Sequence, residues 1–367
     1  MNANDIDISI ISKMTKYNVL ETKLINSDTN EFFRSNVVNL FIDLRSIIGK
    51  IYVDIDKKGM EEFIFTDQKI WMSSTLVNLI GHYRMFFDKF GFSTRVFLFY
   101  SLNVDDTLIK INPDYKKKFI EDRNQSNITE LVNTNLELVK TILEYVNNVF
   151  IINTENIEER IFPYLAVKRL SKSLLNDNNI ILTNDPYYSV YFKYEFGVLT
   201  MKGDKSKFFT PIDYCAKNLL VSISSSKKVI KEYAFLNLYP IYISLIGDKK
   251  VSIKGIRTYG VSKSLGFIEE LVREGILTDT VYTLKMLEDI IKEGKFLKKD
   301  EDNNTFLNNF KCIDCETIFR NHSISEVLKI KQQVYNKSNN YYALDDINQL
   351  NLKNHPIKTH FLLKKSF

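Results

Sequence analysis

Apolar positions follow two rhythms along this chain. Short runs that are apolar at nearly every position, VVNLFID at 37–43 and TRVFLFY at 94–100, predict strands buried on both faces, the first ending at Asp43. Between them, STLVNLIGHYRMFFDKFG at 74–91 has apolar residues at three- and four-residue spacing and a terminal Gly91, which predicts an amphipathic helix with a stop signal. The alternation continues: a helix over 127–146, a strand NVFIIN at 148–153, a helix over 157–175 and a strand NIILTND ending at Asp185. The stretch YFKYEFGVLTMKGDKSKFF at 191–209 predicts two strands or a ribbon, after which the pattern becomes mainly helical. DEDNNTFLNN and NKSNNYY read as loops, and HSISEVLKIKQQV as a helix.

The expected fold class is therefore α/β, a mainly parallel central sheet with flanking helices followed by a helical region. The boundaries are an N-terminal extension at 1–35, an α/β core at 36–211 with a basic segment at 112–130, a helical region at 212–300 with a glycine-rich hairpin at 247–260, and a C-terminal extension at 301–367. No long Pro/Gly linker separates the halves, so the later region is expected to pack on the sheet domain.

Composition narrows the function classes. With 44% hydrophobic and 26% charged residues the chain is globular, and a formal charge of +5 permits a polyanionic partner without demanding one. Three cysteines cannot form a dense disulfide framework. No apolar run reaches the ~18 residues of a membrane span, and the opening MNANDIDISI has acids where a targeting segment has bases, so an intracellular protein without membrane contact is expected. Cys312 and Cys315 form a lone CxxC followed by His322, but no well-placed fourth donor accompanies them, so structural zinc is not expected. Neither GxxxxGK[ST] nor GxGxxG occurs, and no nucleotide cofactor is expected.

Two sets of residues carry candidate chemistry. If the strands are parallel, Asp43, Glu158, Glu159 and Asp185 gather at the sheet's C-terminal edge, where open α/β sheets place ligands; Asp248 is a further candidate. Carboxylate oxygens suit Mg²⁺ or Mn²⁺. The second set is basic: Lys116, Lys117, Lys118 and Arg123 beside Tyr115, and Lys249, Lys254, Arg257 and Lys263 around Gly247, Gly255 and Gly260, with Ser262 able to cap a following helix.

In order, NLFIDLRSIIG at 39–49, NPDYKKKFIEDR at 112–123, NIEERIFPYLA at 156–166, IILTND at 180–185 and GDKKVSIKGIRTYG at 247–260 resemble the motifs of the FEN-like 5′ nuclease family, within the PIN-like superfamily. The resemblance implies a metal-acid site formed by Asp43, Glu158, Glu159, Asp185 and Asp248 that holds Mg²⁺ or Mn²⁺. It also implies an arch-like segment at 112–130 and a helix-hairpin-helix clamp whose Tyr115, Lys116, Lys117, Lys118, Arg123, Lys249, Lys254, Gly255, Arg257, Gly260 and Lys263 meet nucleic acid. The departures are specific. Tyr100, Tyr187 and Val251 stand where the family supplies aspartates, with Ser252 beside the last, and Asn156 stands where it supplies a leading glutamate. A phenol and an isopropyl group do not replace carboxylate ligands at neutral pH.

The leading expectation is a divergent FEN-like protein that binds duplex or branched DNA through phosphates, with nuclease activity reduced or lost. Two alternatives stay open: an active metal-dependent 5′ nuclease, and a structural or protein-interaction subunit of a viral complex. The 35 Asn, 20 Tyr and 26 Phe beside only 12 Gly and 6 Pro point to A/T-biased coding, and this compositional bias with the divergence suggests a virus or phage source, a place in replication or transcription, and the host cytoplasm as the setting.

Overall fold

The two apolar runs form adjacent central strands. In the computed structural model, which describes residues 33–339 apart from 45–46, 48–79, 82, 102, 118–147, 171–172, 184, 203–204, 210–231 and 279, β1 (Val37–Asp43) lies parallel to β2 (Ser93–Tyr100), with Asp43 opposite Phe99. Parallel strands β3 (Val149–Asn153) and β4 (Asn178–Leu182) flank this pair, β5 (Gly197–Lys202) runs parallel to β4, and β6 (Lys205–Phe209) closes the edge antiparallel. The resulting order is β3-β2-β1-β4-β5-β6. From β1 the chain winds outward one way to β3, then returns to the other side of β1 at β4. That reversal puts the C-terminal ends of β1 and β4 side by side, the place where Asp43 and Asp185 were expected to meet.

Burial explains the strand sequences. β4 is buried at every position and β1 at all but its first, as a parallel sheet covered on both faces requires. On one face Phe162 reaches the sheet, its ring 5.3 Å from that of Phe99 and 6.1 Å from that of Phe41. Residues 83–89 are helical, and Gly91, at φ +80°, ends that element as expected. The helix expected over 127–146 lies outside the described residues.

Three short helices follow the first strands. α1 (Asp106–Ile111) starts at Asp105, whose Oδ1 accepts from Thr107 N and Leu108 N; α2 (Phe162–Leu165) follows a 3-10 turn at Glu159–Ile161; α3 (Ser173–Asn176) leads into β4. The ribbon expected from 191 begins later, because Pro186–Tyr194 is 3-10 helical. Its buried rings recur every three residues, at Tyr188 and Tyr191, which is a helical period and not a strand period.

The later helices are α4 (Glu232–Ile246), α5 (Val261–Arg273), α6 (Leu284–Lys292), α7 (Asp300–Ile313), α8 (Cys315–Arg320) and α9 (Ile324–Asn339). α4 packs against α7 and against the 3-10 helix beside the sheet, and one apolar core runs from Phe41 through Tyr191 to Phe306. Both expected loops are corrected. DEDNNTFLNN opens α7, and NKSNNYY continues α9 as far as Asn339. Three acids in the first turn of α7 favour its N-terminal dipole. Its two buried asparagines have tertiary partners: Asn303 exchanges bonds with Leu297 N and O, and Asn309 donates to Ser244 O and Lys254 O. At the far edge of the sheet, Gln333 of α9 accepts from Asn153 N at 3.0 Å and donates to Asn153 O at 2.9 Å, completing the pairing of β3 with a side-chain amide.

Candidate functional site

The C-terminal strand ends gather acids from separate elements. Asp43 closes β1 and is 5% exposed; its Oδ2 accepts from the Tyr188 hydroxyl at 3.0 Å. Asp185, just past β4, accepts from Tyr187 N. Glu158 and Glu159, which begin the 3-10 turn before α2, are both buried. Asp248 comes from the hairpin between α4 and α5, where its Oδ1 accepts from Lys250 N.

Two buried cations lie among these acids, and exposed Lys250 reaches them from outside, its Nζ 3.5 Å from Asp185 Oδ2. The Arg160 Nε donates to Glu158 Oε1 at 3.0 Å, and its Nη1 donates to Asp248 Oδ2 at 2.8 Å and lies 3.9 Å from Asp185 Oδ2. Lys116 Nζ donates to both Glu159 oxygens at 2.8 and 2.9 Å and lies 3.0 Å from Glu158 Oε2. The Tyr115 hydroxyl donates to Glu158 Oε2 at 2.6 Å. Burial alone would raise the Glu158 carboxyl, but Lys116 and Arg160 outweigh it and hold the group down at about 2. Burial likewise opposes charge on Lys116, yet Glu158 and Glu159 keep its ammonium above the ordinary value.

These contacts correct part of the expected nucleic-acid surface. Tyr115 and Lys116 are buried and committed to the acids, not presented to phosphate. Lys117 is exposed, while Lys118 and Arg123 lie outside the described residues. A backbone bond from Lys116 N to Val251 O ties this turn to the hairpin.

The hairpin itself is built on close backbone approach. Strands β7 (Gly247–Asp248) and β8 (Ile253–Lys254) pair antiparallel, and a Cβ on Gly255 would lie 2.4 Å from Ile246 O. Gly247 adopts φ +79°, which favours glycine. α5 then begins at Gly260 with no side-chain cap, so Ser262 does not serve as the expected cap but lies exposed inside the helix. Lys249, Lys254, Arg257 and Lys263 are all exposed. Lys254 pairs with Asp114 at 2.6 Å and Lys263 donates to Thr258 Oγ1, while Lys249 and Arg257 have no ion-pair partner among the described residues.

The positions that depart from the family pattern have structural work. The backbone oxygen of Tyr100 accepts from Thr154 N, and the Tyr187 hydroxyl donates to Ile313 O while its ring faces the Arg160 guanidinium at 3.9 Å. Val251 is buried in the hairpin. Cys312 and Cys315 are also buried, their thiols pushed up by burial to about 12 and about 11, and Cys315 Sγ lies 3.6 Å from the Tyr187 hydroxyl. His322 instead contacts Asp105, with Nε2 2.8 Å from Oδ2.

The residue chemistry does not fit a divalent-metal site. Among the described residues no group of three His, Cys, Asp or Glu is placed to hold a metal ion, and Glu158 and Glu159 are engaged by side-chain cations. Sequence reasoning missed Arg160, Asp105 and Tyr188. Arg160 was detectable in principle: a basic residue directly before the apolar IFPYL must be paired if buried.

Comparison by sequence finds neither a matching family model nor a matching curated protein. Solved structures do match. The D15 protein of bacteriophage T5 co-crystallised with metal ions superposes with TM-score 0.54 at 12% identity, over 82% of this chain and 99% of that one. The T5 D15 flap endonuclease, in a pseudo-enzyme product complex with DNA and metal ions, gives 0.52 at 13% identity, over 83% and 100% of the two chains. T5 5′-exonuclease with bound zinc gives 0.53 at 14% identity, over 82% and 99%. The chain therefore has a FEN-like α/β fold, with a mainly parallel sheet flanked by helices.

Proposed function

We propose that this protein binds duplex or branched DNA through phosphate contacts and has reduced or lost nuclease activity. The observation that carries the reading is an exposed basic hairpin beside an acid cluster already engaged by internal cations. Lys249, Lys254, Gly255, Arg257, Gly260 and Lys263 form the clamp surface of this reading, with Lys117 nearby and Lys118 and Arg123 as further contacts. Phosphate is favoured there because the first amides of α5 are not capped by a side chain and the surrounding charge is positive. The succession of α4, hairpin and α5 supports a helix-hairpin-helix reading. The likeness to phage T5 proteins and the compositional bias support a viral or phage setting in replication or transcription.

Binding of labelled duplex, 5′-flap and single-stranded DNA, followed by anisotropy across a salt series, tests the reading. Duplex or flap affinity is expected to fall with salt. The double variant Lys249→Ala/Arg257→Ala should reduce the slope of log affinity against log salt by about 2, one for each phosphate no longer neutralised. Binding that ignores salt would count against it. The same DNAs incubated with EDTA, Mg²⁺ or Mn²⁺ should remain intact; metal-dependent cleavage abolished by Asp43→Asn would establish the active-nuclease alternative instead.

A further inference from the structure

We propose that Arg160 and Lys116 are the resident counter-ions of the acid cluster, side-chain replacements for divalent cations, so that this site is neutralised and held together without metal. The proposal concerns the same site as the proposed function but does not depend on nucleic acid.

The geometry is that of a cation shell built from protein. Three carboxylates from three separate elements converge on the Arg160 guanidinium: Glu158 before α2, Asp185 after β4 and Asp248 in the hairpin, at 3.0, 3.9 and 2.8 Å. Lys116, from the turn after α1, covers the other side of Glu158 and bonds both oxygens of Glu159. The two cations are nearly enclosed, with side chains 3% and 7% exposed.

The neutral residues fit the same arrangement. Tyr187 offers the guanidinium an aromatic face at 3.9 Å, a favourable contact for a delocalised cation and an unsuitable one for a hydrated metal. Tyr115 supplies a hydroxyl donor to the Glu158 oxygen that also faces Lys116. A divalent ion placed among these oxygens would meet two fixed positive charges in a poorly hydrated site, where their repulsion is weakly screened. A planar fork that bridges carboxylates also cannot be removed by a chelator.

Thermal unfolding of the protein in EDTA, Mg²⁺ and Mn²⁺ at matched ionic strength, with Mn²⁺ uptake followed by electron paramagnetic resonance, tests this without DNA. The unaltered protein is expected to take up no Mn²⁺ and to unfold at one temperature in all three conditions. Arg160→Gln and Lys116→Gln should each unfold roughly 5 °C or more lower in EDTA, with Arg160→Lys intermediate because it restores the charge without the fork. Stoichiometric Mn²⁺ uptake with a raised unfolding temperature in the unaltered protein would overturn the proposal, as would Gln variants as stable as the parent. If a Gln variant fails to fold, the unaltered protein's Mn²⁺ response still decides the matter. Loss of DNA binding alone would refute the proposed function and leave this assignment standing.

Discussion

Glu158 is where the charges of the site meet, and its protonation has a definite direction. Its carboxyl lies at about 2 in the folded protein, below the ordinary 4.5, because Lys116 and Arg160 prevail over burial. The stability it contributes is therefore present above pH 4.5 and is lost as pH falls through about 2. Urea midpoints across that interval should fall more steeply for the parent than for Glu158→Gln, which lacks the contribution from the start; parallel curves would refute the assignment. Tyr115→Phe removes one donor to the same carboxylate and should cost about 1–3 kcal/mol in urea unfolding, because a buried charged acceptor loses a partner. Asp43 and Asp185 were legible in the sequence because the first ends an apolar strand and the second closely follows one. The burial of Lys116 was not, since KKK at 116–118 reads as one solvated run and only the tertiary contacts of Lys116 set it apart from exposed Lys117.

At the scale of elements, the hairpin between α4 and α5 depends on glycine for space. Gly255→Ala would put a methyl group 2.4 Å from the backbone oxygen of Ile246, a neighbour with no flexible end to move aside. Chemical denaturation should show a loss of roughly 1–3 kcal/mol or more, as for other overpacked sites, and the DNA binding proposed for this hairpin should weaken with its geometry. An unchanged denaturation midpoint would refute this account. The hairpin glycines were readable as punctuation, and the central strands as runs apolar at nearly every position, which leave little choice of conformation. α7 was not, because the low helix propensity of its asparagines is overridden by Asn303 and Asn309 bonding to backbone outside the helix. Such partners leave no periodic trace in the sequence.

Across the whole molecule, the sheet and the C-terminal helices are joined by buried polar contacts. His322 sits between Asp105 and Glu326, and Asp105 also accepts from Glu158 N, so one carboxylate connects the C-terminal helical region with the acid cluster. Burial opposes the imidazolium, but Asp105 and Glu326 hold it above its ordinary 6.5. Its stabilisation is thus complete below pH 6.5 and disappears as pH rises through the raised folded value. Urea midpoints should decline as pH rises above 6.5 in the parent and less in His322→Gln; equal declines would exclude the histidine as the cause. A different consequence follows from Gln333 at β3. By engaging both the amide and the carbonyl of Asn153, this side chain leaves a second molecule no free backbone pair at that residue onto which to add a strand. The outer rim of the sheet is in this respect guarded against self-association, and a protein with alanine at this position would have to stay dispersed without that protection.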